Sequence, residues 1–257
     1  MWSWRKIGRA KNRLFYSLLR LELPLVTKAE NQQTGLAFDV LADLPQSGAP
    51  RVMTGHDNGL ITIALAEADD VRREQSRVSM HEPYRTLLGH FRHEVGHYFW
   101  DRLVKDGGKL EPFRALFGDE QADYGQALQR HYKEGPPGDW QTRFVSAYAT
   151  MHPWEDFAET WAHYLHIVDT LETAHAFNLS VRPAVTKGDE LDASVDFDPY
   201  RAQPMALLTE AWLPLTVAVN SLNRSMGQPD LYPFILSPPA IEKLGFVHDL
   251  VHRVLGQ

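Results

Sequence analysis

The five residues His93-Glu94-Val95-Gly96-His97 carry the clearest chemical signal in this chain. On a helix, His93 and His97 stand about 40° apart in projection, so both imidazoles leave one face a single turn apart. Two ligands of a tetrahedral metal ion need that arrangement. Glu94 lies beside the same face, where its carboxylate reaches a water at the ion rather than the ion itself. The division of labour this implies is hydrolytic. Zinc lowers the pKa of water towards ~7 and polarises a carbonyl. Glu94, as general base, takes the water's proton and passes it to a leaving amine. His90 and Asp101 fall at about 60° and 80° on the same projection and are expected to bind or orient the metal from the same sector.

A catalytic zinc of this type takes three protein ligands. The stretch Pro153 to His166 supplies candidates. With Glu155 as origin, Glu159 lies at about 40°, His163 at about 80° and His166 at about 20°, while Phe157, Trp161, Tyr164 and Leu165 cover the opposite side. The aromatic side is core. The His/Glu side is expected to face the His93/His97 helix across zinc, with Glu155 as third metal ligand. Glu159 is expected to hold a ligand imidazole by its other N–H, and His163 to lie in the same outer ring. Asp119 or Asp123, in Gly118-Asp119-Glu120-Gln121-Ala122-Asp123-Tyr124-Gly125, is the rival third ligand. A dinuclear bundle site would need Glu-x-x-His ligand pairs facing each other from two helices, and Glu94 to His97 already belongs to the mononuclear motif.

Composition narrows the alternatives. The 257 residues contain no cysteine, which excludes disulfides, thiolate catalysis and Cys-ligated zinc within this sequence. Histidine is abundant: twelve residues, eight of them between His90 and His175. A metal must therefore be held by His, Asp or Glu, and a His/His/carboxylate set is more often open and catalytic than closed and structural. The net charge of −7 disfavours nucleic acid or an anionic membrane as partner. No run approaching ~18 apolar residues is evident, so no stable membrane insertion is expected. Arg20 and Glu22 interrupt the N-terminal apolar stretch too early for a secretory signal, and the expected location is cytoplasmic. The partner expected is a peptide or protein substrate. The alternative function is a non-catalytic zinc-binding interaction module, with His163 or His90 closing the site as fourth ligand.

The elements that must position these residues are mostly helical. Helices are expected over 3–22, 68–79, Pro83 to about Lys105, Asp119 to Lys133, Asp139 to Met151, Pro153 to about Phe177, Met205 to Ser225 and Pro239 to Leu255. Strands are expected over Leu36 to Leu41 and Leu60 to Ala66, with turn chemistry at His56-Asp57-Asn58-Gly59 between them. The second strand offers an edge on which an extended peptide can pair, or else is internal. Residues 178–204 read as irregular. The fold class expected is α+β: a mainly helical zincin-like domain with a small mixed sheet near the N-terminal side. One domain is expected over 1–257, with the first helix and sheet in about 1–80, active-site helices in about 83–177 and a helical lobe in about 204–257.

Two resemblances add to this. Glu155-Asp156-Phe157-Ala158-Glu159 is similar to the ligand helix of lethal-factor-type toxin peptidases, which reads E-F-F-A-E. Those peptidases carry a catalytic tyrosine seven residues before the ligand glutamate. That resemblance implies Tyr148 as catalytic donor to the oxyanion. As a whole, residues 5 to 255 resemble a bacterial family of zinc-binding metallopeptidases. Thr54-Gly55-His56-Asp57-Asn58-Gly59-Leu60-Ile61-Thr62, Glu82 to His97 and His152-Pro153-Trp154-Glu155-Asp156 carry that resemblance. It implies a zincin catalytic domain and leaves the substrate unnamed. Many members carry an N-terminal zinc ribbon with paired cysteines, which is expected to be lacking here.

Overall fold

A computed structural model describes residues 2–43, 52–80, 82–184, 188–189 and 191–255. The fold is α+β and mainly helical, with eight α-helices among the described residues and a small mixed three-stranded sheet near the N-terminal side. Helix α1 (Trp2–Arg20) lays Ile7, Leu14 and Leu18 into the core and contains no acidic residue. Strand β1 (Ala37–Leu41) runs parallel to β3 (Leu60–Ala64), and β2 (Gly55–Asp57) is antiparallel to β3. Positive φ at both Asn58 (46°) and Gly59 (86°) makes the β2–β3 connection the two-residue turn that matches strand twist. A Cβ on Gly59 would lie 2.3 Å from the Gly35 carbonyl oxygen, so the turn requires glycine there.

The order β1-β3-β2 decides between the two readings of Leu60 to Ala64: it is the internal strand, and β1 and β2 lie at the edges. After Ala64 the chain turns through a 3-10 segment (Leu65–Ala68) into α2 (Asp70–Ser79).

Helix α3 (Leu87–Phe99) starts four residues after Pro83, because the Thr86 side chain caps it by accepting from Gly89 N at 3.0 Å. It runs on as a π-helical stretch, Trp100–Lys105. Helix α4 (Leu110–Phe117) was not expected; it stacks Phe113 on Phe117, centroids 4.9 Å apart. Helix α5 (Tyr124–Glu134) begins after Asp123, whose carboxylate caps Gln126 N.

The helix expected over Asp139 to Met151 is instead two 3-10 turns, Trp140–Thr142 and Tyr148–Thr150. Ser146 explains part of this, since its hydroxyl takes the Ala149 N–H that a helix would use.

Helix α6 (Pro153–Ala176) is the central element. A two-stranded ribbon, β4 (Ser180–Val181) with β5 (Ala193–Ser194), interrupts the irregular segment, and α7 (Met205–Ser225) and α8 (Pro238–Leu255) follow. By length and composition alone α7 could cross a membrane; it packs Leu208, Trp212 and Leu215 into the core.

Helices α3 and α6 meet closely. A Cβ at Gly96 would lie 3.1 Å from Ala158 Cα, and Phe99 stacks on Trp161 at 4.9 Å. Phe91, Val95, Phe99, Phe157 and Trp161 are all fully buried. At ~1.5–3 kcal/mol each, such side chains contribute on the order of 10 kcal/mol together. A polar strip is buried along the same helix pair. Behind the strip, Arg92 pairs with Asp169, which also accepts from Ser17 and Tyr200, tying α1, α3 and α6 together.

Candidate metal centre

The facing surfaces of α3 and α6 bring His93, His97 and Glu155 together, with one ligand atom from each inside a common 4.8 Å span. His93 Nε2 lies 2.9 Å from Glu155 Oε2 and 3.2 Å from His97 Nε2, and His97 Nε2 lies 3.5 Å from Glu155 Oε2. Zinc bonds of about 2.0–2.2 Å in a tetrahedron separate ligand atoms by about 3.3–3.6 Å. The observed triangle matches that within a few tenths of an ångström. Glu155 Oε2 is buried and has no aligned hydrogen-bond donor. A buried carboxylate oxygen facing two imidazole nitrogens is costly unless a cation joins them. By geometry and donor chemistry, these residues fit a metal ion.

Their surroundings are ordered. Glu159 Oε1 lies 2.7 Å from His93 Nδ1, and its other oxygen accepts from the Ser146 hydroxyl at 2.6 Å. With the Nδ1 proton held there, the His93 Nε2 lone pair points to the ligand triangle. His97 is held differently. Its Nδ1 is buried without a hydrogen-bond partner among the described residues, and the ring is covered by Trp154, centroids 3.7 Å apart, and by His56 at 6.2 Å. His56 is itself fixed by the β2–β3 turn, where Nε2 accepts from Gly59 N at 2.9 Å.

The electrostatics favour positive charge. Burial works against a charged His93, yet the carboxylates of Glu155 and Glu159 outweigh it and hold its pKa well above the usual histidine range. Burial likewise opposes ionised Glu159, but His93 and Ser146 bring its carboxyl to about 2. Glu155 is driven the same way by His97 and His93 against its burial.

Glu94 is 8% exposed, and burial is the main reason its pKa rises, against the pull of His93 and His97. Among the described residues it has no hydrogen-bond partner. Tyr148 is half-buried with its ring 5.9 Å from that of His93, and burial beside Glu155 pushes its hydroxyl strongly upward, so it stays protonated.

Other expected residues lie elsewhere. His90 turns to Glu67, Nδ1 to Oε2 at 3.2 Å. Asp101 pairs with Lys105. His163 Nδ1 meets the Tyr232 hydroxyl at 2.7 Å, and His166 meets Arg92. The physical reason is axial. A projection records angle and ignores rise, and His163 and His166 sit eight and eleven residues beyond Glu155, about 12 and 16 Å along α6. Asp101 also follows the change to π-helix, where the angle per residue differs. The rival ligands have capping work instead: Asp119 accepts from Gln121 N and Asp123 from Gln126 N.

Five residues close to the centre were given no role there by the sequence reading: Tyr124, Ser146, His152, Trp154 and His56. Tyr124 donates to Glu155 Oε1 at 2.9 Å. His152 caps α6 by accepting from Trp154 N at 3.1 Å. His152 and Trp154 flank Glu155 and were visible as neighbours. No spacing rule links 124 or 146 to 155.

Comparisons with known proteins agree with the geometry. Residues 1–250 match the sequence profile of a family described as "Putative zinc-binding metallo-peptidase". An uncharacterized protein of Mycobacterium bovis is 51% identical over 248 residues, which cover 95% of this chain and 68% of the relative. Uncharacterized proteins of two Mycobacterium tuberculosis strains match with the same identity and coverage. No solved structure matches. With the family profile reaching from residue 1 to 250 and half of the aligned residues shared with the mycobacterial proteins, the chain belongs to this zinc-binding metallo-peptidase family.

Proposed function

We propose that the protein is a zinc-dependent peptidase in which His93, His97 and Glu155 hold the metal and Glu94 is the general base. The observation that carries this reading is the triangle of ligand atoms with a buried, unpartnered Glu94 carboxyl beside it. Zinc, when bound, supplies Lewis acidity towards water and the scissile carbonyl.

The chain's own residues do the rest. Glu94 takes a proton from the attacking water and delivers it to the leaving nitrogen; a carboxyl whose pKa is raised by burial suits both directions of transfer. Glu159 keeps His93 oriented, holding the Nδ1 side of the ring so that Nε2 faces the ligand triangle. Tyr148, protonated and facing His93, donates to the oxyanion. The edge strand β2, whose His56 packs against His97, offers free backbone groups on which an extended peptide can pair.

A test begins with metal analysis, expected to show about one zinc per chain. Glu94→Gln should keep the metal and lose cleavage of a peptide library. Loss of metal in that variant, or retained cleavage, overturns the assigned roles.

A further inference from the structure

Tyr124 belongs to none of the roles assigned so far, yet among the described residues its hydroxyl is the aligned hydrogen-bond donor to the Glu155 carboxylate. Its hydroxyl donates to Oε1 at 2.9 Å, on the side away from the imidazoles. That leaves Oε2 alone facing His93 and His97. A free carboxylate can offer a metal both oxygens; one whose second oxygen is held by a strong donor offers one.

The tyrosine is itself held on several sides. It is the first residue of α5, directly after the capping Asp123. Its ring packs on His152 at 5.3 Å and near Trp154 at 6.2 Å. His152 accepts from Trp154 N through Nδ1, which leaves the proton on Nε2, and Nε2 donates to the Ala122 carbonyl at 2.9 Å. One buried imidazole therefore joins the start of α6, which carries Glu155, to the loop that carries Tyr124. The Tyr124 hydroxyl also lies close enough to that of Tyr148 for each to affect the other.

We infer that Tyr124 is a positioning residue of the metal centre: it fixes Glu155 as a single-oxygen ligand and makes α5 part of the site. This rests on the metal-centre reading above.

The experiment uses the full chain loaded with Zn2+ or Co2+. Tyr124→Phe removes only the hydroxyl. Its zinc Kd, from competition with a chromophoric chelator, should rise about 10- to 100-fold, the usual effect of losing a partner of a metal ligand. The visible spectrum of the cobalt form should weaken, as a second carboxylate oxygen raises the coordination number. Tyr132→Phe, on the same helix and largely exposed, should change neither. In a Glu155→Gln background, Tyr124→Phe should add no further loss, because its effect passes through the carboxylate. His152→Asn, which can cap α6 but cannot reach Ala122, should shift the spectrum in the same direction by less.

An unchanged Kd and cobalt spectrum in Tyr124→Phe, or an equal loss in the Glu155→Gln background, overturns the inference. A chain that binds zinc but cleaves nothing overturns the peptidase reading and leaves this one standing. Failure of the wild type to bind either ion overturns both.

Discussion

Glu159→Gln tests how much the carboxylate behind His93 contributes to metal binding. The change keeps size and shape. A glutamine carbonyl can accept from His93 Nδ1 where Glu159 Oε1 now sits at 2.7 Å, and its amide can face the Ser146 hydroxyl where Oε2 now sits at 2.6 Å. Only the charge is lost. A hydrogen bond to a charged group contributes about 1.5–3 kcal/mol and a neutral one about 0.5–1.5. The difference, about 1–1.5 kcal/mol, is about tenfold in Kd. Glu159→Leu goes further and leaves His93 Nδ1 without an acceptor; at about 1–3 kcal/mol for that unsatisfied group, the loss should reach up to about 100-fold. The assay is competition with a chromophoric chelator at fixed pH. Cleavage at saturating zinc should fall far less than affinity, because Glu159 reaches the reaction only through His93. A Kd for Glu159→Gln within twofold of wild type would refute the reasoning.

Two further outcomes can be checked on folding. Gly96→Ala gains up to about 1 kcal/mol of helix propensity but drives a methyl to 3.1 Å from Ala158 Cα, where overpacking costs about 1–3 kcal/mol; the expected net loss is up to about 2 kcal/mol in denaturant unfolding, with weaker zinc binding, and a more stable variant would contradict the packing. Glu67, whose burial is outweighed by His90 and Arg85 so that its pKa falls to about 2, contributes stability that is complete above its ordinary value of 4.5 and is lost as pH drops through about 2; Glu67→Gln should therefore be less stable than wild type at pH 6, and the gap should close between pH 4.5 and 2, so a gap that widens on acidification would contradict this.

How far the site was legible in sequence depends on the kind of information each residue carries. His93 and His97 were readable because a spacing of four nearly matches the helical period, and Glu155 with Glu159 repeats that spacing on a second helix. Facing placement followed from the Phe157/Trp161 side being core. Distance along the axis was not readable from angle, so His90, His163, His166 and Asp101 entered the expected cluster and leave it in the structure. Contacts from other elements were hidden for another reason. Tyr124 and Ser146 reach the centre through chain path, which local periodicity does not encode. The same limit applied to the sheet: Leu60 to Ala64 has the alternation of a strand, but only pairing with both β1 and β2 makes it central. Helix α4 was masked by Gly107-Gly108 before it and by Pro112 in its first turn, although a proline there removes no helical hydrogen bond.

The start of α6 acts as an index mark for the metal ligand. His152 is the capping residue, Pro153 follows in the first turn, and Glu155 comes two positions later. If the helix began one residue earlier or later relative to its neighbours, Glu155 would swing about 100° and slide about 1.5 Å, out of reach of His93 and His97. A histidine cap and a proline at fixed φ leave the helix one place to begin. The position of the proposed third ligand is thus written first into a helix-initiation signal, and the ligand's own surroundings hold the carboxylate that this signal has placed. An insertion between His152 and Glu155 would disable the centre while leaving every ligating residue in the chain.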